Sequence, residues 1–352
     1  MKEFQVFDYS IIGEDHLLME KPCQDASVSE IYGDAAIIAV ADGHGAREHY
    51  LSGIGSLLAV KVAVAYIRLF VEQVTKEQLM DEKIREGLFS DLKKAILARW
   101  RKEVLNDFRI RRDDRQGKEE QDPLRAYGTT LIAAAVTKEY WFALQIGDGN
   151  CVEFYNDLKF KESMPYDPHC RGEFTSSLCE KDALDRFRFC FGFQIPEILL
   201  LHTDGIDDSM MDQAQRFGYY HSFVSGFREG IGNGLSYLYD NLNRIAVLGK
   251  KDDISMAGVM RKNTIVSFAD HLYPIYIRQR DEQEYQRLIQ KIATTEKCCE
   301  RLQTEINALT SQKQRKNPVL KGKQESLNFY LRELEEDKKQ LEQFKIHDHP
   351  FD

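Results

Sequence analysis

Hydrophobic positions along the chain follow several distinct rhythms. From Phe4 to Ile12 they alternate with polar ones, the two-residue period of a half-buried strand. Ala35-Ala36-Ile37-Ile38-Ala39-Val40-Ala41 is an unbroken apolar run, as suits a strand covered on both faces, and the turn Asp42-Gly43-His44-Gly45 ends it. From about Ser52 to Val74 and from about Lys76 to Val104 the pattern becomes helical. The first stretch is rich in Ala, Val and Leu; the second sets Leu79, Ile84, Leu88, Leu92, Ile96 and Trp100 on one face. The mixed-charge run Arg109 to Gln121 reads as a solvated loop or frayed helix end.

Strand signals then return at Thr129 to Val136, Tyr140 to Ile146 and Cys151 to Tyr155. The last two flank Gly147-Asp148-Gly149-Asn150, which predicts a hairpin. Phe187 to Phe193 and Glu197 to Leu201 continue the series, and the latter runs into His202-Thr203-Asp204-Gly205. Helical segments at about His221 to Arg228 and Leu235 to Val247 precede a last strand, Ile254 to Met260. Strands in antiparallel succession, interrupted by helix pairs, predict an α+β layered sandwich rather than a doubly wound parallel sheet.

After about Lys262 the period changes again. Leu288, Ile292, Thr295, Cys299, Leu302, Ile306 and Leu309 alternate spacings of four and three, a heptad seam. Asn317-Pro318 interrupts it, and Leu320, Leu327, Leu331, Leu334 and Leu341 resume it, so two antiparallel helices are expected. The predicted organisation is a globular domain over 1–262 and a helical, coiled-coil-like tail over 263–352 that folds back on itself or pairs with another chain.

A hydrophobic fraction of 43% over 352 residues suffices for a sizeable core. The net charge of −9, without a basic stripe, argues against nucleic-acid binding. The seven cysteines form no CxxC pair, which removes zinc-knuckle and thioredoxin-like readings. The N-terminus lacks a signal-peptide pattern, and apolar windows such as Ala35 to Ala41 are too short to cross a bilayer, so a soluble, cytoplasmic protein with no membrane partner is expected.

Three acidic sites share one local pattern, an aspartate at a strand end: Asp42 and Asp204, each followed by Gly, and Asp252 before the last strand. A strand end holds a carboxylate rigidly, and a following glycine allows a sharp turn that frees a carbonyl. Such oxygens suit Mg²⁺ and Mn²⁺, and several turns on one rim would make a dinuclear site.

The ordered set is more specific than any member. Pro22-Cys23-Gln24-Asp25-Ala26, Asp42-Gly43-His44-Gly45, Gly128-Thr129-Thr130, Gly147-Asp148-Gly149, Thr203-Asp204-Gly205-Ile206-Asp207-Asp208 and Lys251-Asp252-Asp253-Ile254-Ser255 follow one another in the chain. In order and approximate spacing they resemble the type-2C metal-dependent Ser/Thr protein phosphatases, bacterial branch, from about Phe4 to Met260. The resemblance implies two antiparallel sheets packed face to face, helix pairs on both outer faces, and two Mg²⁺ or Mn²⁺ ions in a cleft at one end. It makes Asp42 the carboxylate that bridges both ions and Gly43 a carbonyl ligand. Asp204 and Asp252 would bind one ion, Asp25 would hold ion-bound waters, and Asp148 would serve a weaker third ion. Two cations about 3.5–4 Å apart would acidify a bridging water into the nucleophile, with no covalent phosphoenzyme. His44 would protonate the departing Ser or Thr alkoxide.

The chain departs from the family where many members carry a phosphate-clamping Arg five residues before Asp25; here that residue is Glu20. Lys21 and His16 are candidate phosphate anchors in its place. Ala46 follows the Asp-Gly-His-Gly turn where a second Gly is usual, and Gly149-Asn150 stands where Ser-Arg often follows. Cys23 reads as a small packing residue, and Asp207 and Asp208 as helix N-terminal caps. The stretch Asn156 to Arg186 occupies the place of the family's mobile flap; His169 and Cys170 within it are weak metal candidates. The leading reading is a phosphatase acting on phosphorylated proteins. The alternatives are a catalytically weak or inactive binding module working through its coiled-coil tail, and a metal nuclease or small-molecule phosphatase.

Overall fold

The computed structural model describes residues 3–111, 122–170, 174–210, 213–311 and 318–346. The chain divides into two compact units, Met1–Tyr273 and Pro274–Asp352.

The first unit contains two five-stranded sheets. One runs β1 (Phe4–Ile11), β10 (Ile254–Arg261), β9 (Ile198–His202), β6 (Asn150–Phe154), β7 (Phe160–Lys161). The other runs β2 (Ala26–Tyr32), β3 (Ala35–Ala41), β4 (Leu131–Val136), β5 (Trp141–Ile146), β8 (Arg188–Gly192). Every pairing is antiparallel. The apolar run of β3 is explained by two burials at once. Ile38 and Val40 enter the seam between the sheets with Ile132, Leu199, Leu201 and Val259. Ile37, Ala39 and Ala41 face a helical layer with Val60, Ile67, Phe89 and Trp100. Each large aliphatic side chain removed from water in this way contributes about 1.5–3 kcal/mol.

That helical layer is α2 (Ser52–Gln73) and α4 (Glu82–Ile110). An 18-residue window of α2 has mean hydropathy 1.9, so by length and composition this helix could cross a bilayer, contrary to the expectation from the shorter windows. Half of that window is buried inside the protein, against β2, β3, β4 and α4. The helix predicted from Lys76 is two: α3 (Lys76–Met80), opened by a capping box between Thr75 and Gln78, and then α4. Asp81 is extended between them and caps α4 by accepting from Ile84 N at 3.0 Å. Of the mixed-charge run, Arg109 and Ile110 close α4; positions 112–121 lie outside the described residues.

The opposite outer face carries α8 (Gln213–Ser225), a 3₁₀ turn (Gly226–Glu229) and α9 (Ile231–Leu248). Tyr220 and His221 of α8 pack on Phe160, and Phe227 and Tyr239 meet Phe7 and Tyr9 of β1.

The second unit is built from α10 (Ile265–Ser311), from Pro274 onward, and α11 (Pro318–Ile346). Cys299, Leu302 and Ile306 pack with Leu320 and Leu327, and Leu288 and Ile292 with Leu334 and Leu341, an antiparallel arrangement. The ion pairs Lys291–Asp337 at 2.8 Å and Lys338–Glu296 at 2.6 Å flank this seam. Leu331, expected in the seam, is exposed.

The predicted hairpin at Gly147–Asn150 is a crossing. β5 pairs with β4 and β8, whereas β6 pairs with β9 and β7 in the other sheet. The chain steps between sheets through Gly147 at φ 92° and Gly149 at φ 81°. A Cβ on Gly149 would stand 2.4 Å from the His202 carbonyl oxygen. Gly149→Ala should therefore destabilise the protein by at least the left-handed backbone cost, about 1–2 kcal/mol, in urea unfolding. Unchanged stability would contradict this role for the crossing.

Candidate active site

The strand register gathers the acidic turns at one end of the sandwich. Ala41, the last residue of β3, pairs with Ala26, the first of β2, so Asp42 and Asp25 emerge side by side. His202, the last residue of β9, pairs with Asn150 at the start of β6 and with Met256 near the start of β10. Asp204, Asp148 and Asp252 therefore leave the other sheet at neighbouring points. Carboxylate oxygens of Asp42, Asp148 and Asp204 lie within 4.8 Å of one another. Asp148, expected to serve a weaker third ion, lies in the same cluster as Asp42 and Asp204.

Backbone and hydroxyl contacts hold this arrangement. The Asp42 N–H donates to Thr130 Oγ1 at 3.0 Å, and Thr129 Oγ1 donates to the Asp42 carbonyl at 2.7 Å. The Gly128-Thr129-Thr130 motif is thus the brace of the central aspartate. Gly43 bridges to Thr129, and a Cβ there would stand 2.5 Å from the Gln24 carbonyl oxygen. Asp25 is nearly buried and accepts from Thr203 Oγ1 at 2.8 Å.

These groups line a cleft of about 810 Å³ whose walls include Asp42, Gly43, His44, Asp148, Asp204 and Asp252. A family model described as Protein phosphatase 2C matches residues 12–233, well over half of the chain. The chain belongs to the protein phosphatase 2C family.

No curated protein matches it. Among solved structures, RsbX in complex with magnesium is 13% identical at TM-score 0.43, covering 74% of this chain and 96% of that one. PppA of Pseudomonas aeruginosa is 17% identical at TM-score 0.46, with coverages of 73% and 97%. The catalytic domain of the phosphatase PstP, with two manganese ions, is 14% identical at TM-score 0.45, with coverages of 73% and 97%.

The electrostatics of this phosphatase 2C site fit a cation. Burial raises the carboxyl pKa of Asp42, and the neighbouring Asp25, Asp148 and Asp252 add to it. Burial also dominates at Asp25, where the Thr203 hydroxyl partly offsets it and Asp253 and Asp204 push further up. Asp204 is pushed up to about 9 by burial, then by Asp42 and Asp148. Asp148 is raised mainly by burial, with Thr175 and Arg188 working the other way. Like charges collected in a low-dielectric cleft ionise together only when a cation joins them. An all-oxygen donor set of this kind suits Mg²⁺ or Mn²⁺. The residues present fit the metal the family implies.

The remaining candidates divide. His16 lines the cleft, but its Nδ1 lies 2.9 Å from Asp253 Oδ2, so the ring forms part of the wall. Lys21 is exposed and does not line the cleft. The His44 ring meets the His49 ring edge-on at 4.9 Å between centroids, and burial, then His49, lowers its pKa to about 4. Among the described residues, Asp207 and Asp208 cap no helix N-terminus. They fall within and after α7 (Asp204–Asp207), and Asp207 accepts from Asn150 and Tyr220. Cys23 is half-buried beside Asp25 and its thiol pKa is raised by burial, in keeping with packing. His169 is exposed and Cys170 faces Thr175 Oγ1 at 3.5 Å, and the two join no metal-ligand cluster among the described residues.

Two features went unread in the sequence. Asp253, beside the expected ligand Asp252, accepts from Gly13 N at 2.8 Å and Gln24 N at 2.6 Å and faces His16. Arg125 and Lys181 bring positive charge to the cleft; Arg125 pairs with Glu48 at 2.9 Å.

Raised carboxyl pKa values mean that the metal-free folded state binds more protons than the unfolded chain. The stability this confers is fully present below the ordinary carboxylate range and is lost as pH rises toward the folded values. His44, shifted down, acts oppositely but only below its ordinary value of 6.5. Between about pH 7 and 9 the carboxyls alone should lower the Tm of chelator-treated protein. Added Mn²⁺ should raise it, more at the alkaline end. Scanning fluorimetry showing no Mn²⁺ effect at any pH would refute the site.

Proposed function

We propose that the chain is a cytoplasmic, metal-dependent protein phosphatase that hydrolyses phosphoserine and phosphothreonine. The observation that carries this reading is the convergence of the Asp42, Asp148 and Asp204 carboxylates in an open cleft. Asp42, Asp204, Asp252 and the Gly43 carbonyl would hold two ions of Mg²⁺ or Mn²⁺, with Asp25 behind them and Asp148 available to a third. When bound, these ions supply positive charge that acidifies water and offsets the charge of the phosphate.

The protein's own groups complete the site. His44 would protonate the departing alkoxide. Burial disfavours its charged form, and a phosphate dianion beside it favours that form again. Thr129 and Thr130 keep Asp42 aligned through its backbone. The raised thiol pKa values of Cys23 and Cys179 leave little thiolate in this region, which supports hydrolysis without a covalent intermediate. Among the described residues, Lys181 and the Glu48-paired Arg125 are cationic side chains of the cleft that a phosphorylated segment would meet. All seven cysteines are free, which supports a reducing compartment.

Full-length protein should hydrolyse p-nitrophenyl phosphate and a phosphothreonine peptide only with Mn²⁺ or Mg²⁺, and lose activity in chelator. Asp42→Asn or Asp204→Asn should lower kcat by about two orders of magnitude or more. Activity persisting in chelator or in these variants would refute the reading. Absence of Mn²⁺ binding by calorimetry would favour the binding-module alternative. Arg125→Ala should raise KM for the peptide about 10-fold, the worth of one charge-assisted contact, with kcat little changed. An unchanged KM would remove Arg125 from substrate binding.

A further inference from the structure

A second group of ligand-bearing side chains lies apart from the carboxylate cleft, inside the seam between the sheets. Cys151 and Glu153 are two residues apart on β6 and share its inward face. Cys190 reaches in from β8 of the opposite sheet, and both cysteines belong to the seam's apolar cluster. The two sulfurs and a Glu153 oxygen lie within 4.8 Å of one another, and all three residues are buried. Cys151 Sγ stands 3.7 Å from Glu153 Oε1, and Ser163 Oγ donates to Oε2 at 2.6 Å.

A carboxylate with no accessible surface calls for a cation. Among the described residues Glu153 forms no ion pair. Lys161, its partner across β6 and β7, carries its ammonium 5.2 Å above the Tyr155 ring instead. Burial pushes the Glu153 carboxyl up to about 7, and Cys190 and burial raise the Cys151 thiol.

We propose that Cys151, Glu153 and Cys190 form a second metal site, for a thiophilic divalent cation such as Zn²⁺, which ties β6 of one sheet to β8 of the other. Two sulfurs and one oxygen select a borderline-soft ion with tetrahedral preference, unlike the all-oxygen cleft. Water or Ser163 Oγ would fill the fourth position. Binding forms two Zn–S bonds and one Zn–O bond, and it releases the two thiol protons and, below about pH 7, the Glu153 proton.

Co²⁺ added to metal-free, reduced, full-length protein tests this directly. Thiolate ligands give a near-ultraviolet charge-transfer band and the oxygen ligands of the cleft do not. The band should saturate at one equivalent, yield to Zn²⁺, survive Asp42→Asn, and vanish in Cys151→Ser and in Cys190→Ser. No band, or a band that both serine variants retain, overturns the proposal. If those variants fail to fold, X-ray absorption at the zinc edge of wild-type protein with one equivalent of Zn²⁺ decides. Two sulfur scatterers at about 2.3 Å support the site, and a shell of only oxygen and nitrogen overturns it. Glu153→Gln should weaken Zn²⁺ at least about 10-fold in competition with a chromogenic chelator. Unchanged affinity overturns the three-ligand assignment.

Discussion

Mutual repulsion among carboxylates at one end of a β-sandwich is the constraint around which this molecule is arranged. Asp25, Asp42, Asp148, Asp204 and Asp252 come from five separate segments at strand ends; burial raises the carboxyls of the first four, and at Asp25, Asp42 and Asp204 others of the group add to it. In such a cleft each added negative charge is unfavourable unless a cation or a proton offsets it. The fold must therefore hold these groups together against their own field. Two sheets with large aliphatic residues in the seam, and a helical layer over β3, provide the apolar burial that does so.

Antiparallel register makes the assembly economical in sequence. A strand that ends beside the start of its neighbour places two turns together without any long connection. That is how Asp25 meets Asp42, and how Asp204 meets the turn before β10. Asp148 reaches the cluster differently, on a segment that leaves one sheet and joins the other. Because the crossing runs close against the His202 carbonyl, only glycine fits at position 149. The segment that brings in the third carboxylate also links the sheets, so site geometry and sheet packing share one constraint.

Much of this was legible in the residues. Asp42 and Asp204 were readable because apolar strands run straight into them, and Asp252 because an apolar strand follows it; their order carried the family resemblance. The tail's seam was readable from its heptads, with Leu331 the exception. The crossing was not readable, since a Gly-Asp-Gly-Asn turn between two strands has the same local chemistry whether the strands pair or part. Strand β2 was missed because Ala26 alone is fully buried and the other six positions are half-exposed, leaving no clear alternation. The break at Asp81 did have a signal, the N-cap carboxylate of Asp81 itself, hidden by helical spacing on either side. His49 and Arg125 carry no motif; tertiary contact alone brings them to the cleft.

The two adjacent carboxylates at the start of β10 show how ligands can be told from structural acids. Asp253 is nearly buried and three of its roughly four acceptor positions are occupied by Gly13 N, Gln24 N and the His16 ring, which leaves little for a cation. It fixes the N-terminal segment against the cleft and adds its charge to the field that raises Asp25. Among the described residues, Asp252 accepts a hydrogen bond only from the N–H of the following residue, and it opens onto the cleft. A carboxylate saturated by donors is part of the frame, and one left unsaturated beside like charges is available to a cation. The same distinction separates Asp207, engaged by Asn150 and Tyr220, from Asp204, three residues before it and facing Asp42. Hydrogen-bond saturation, more than burial or position in a motif, sorts the acids of this cleft by what they can do.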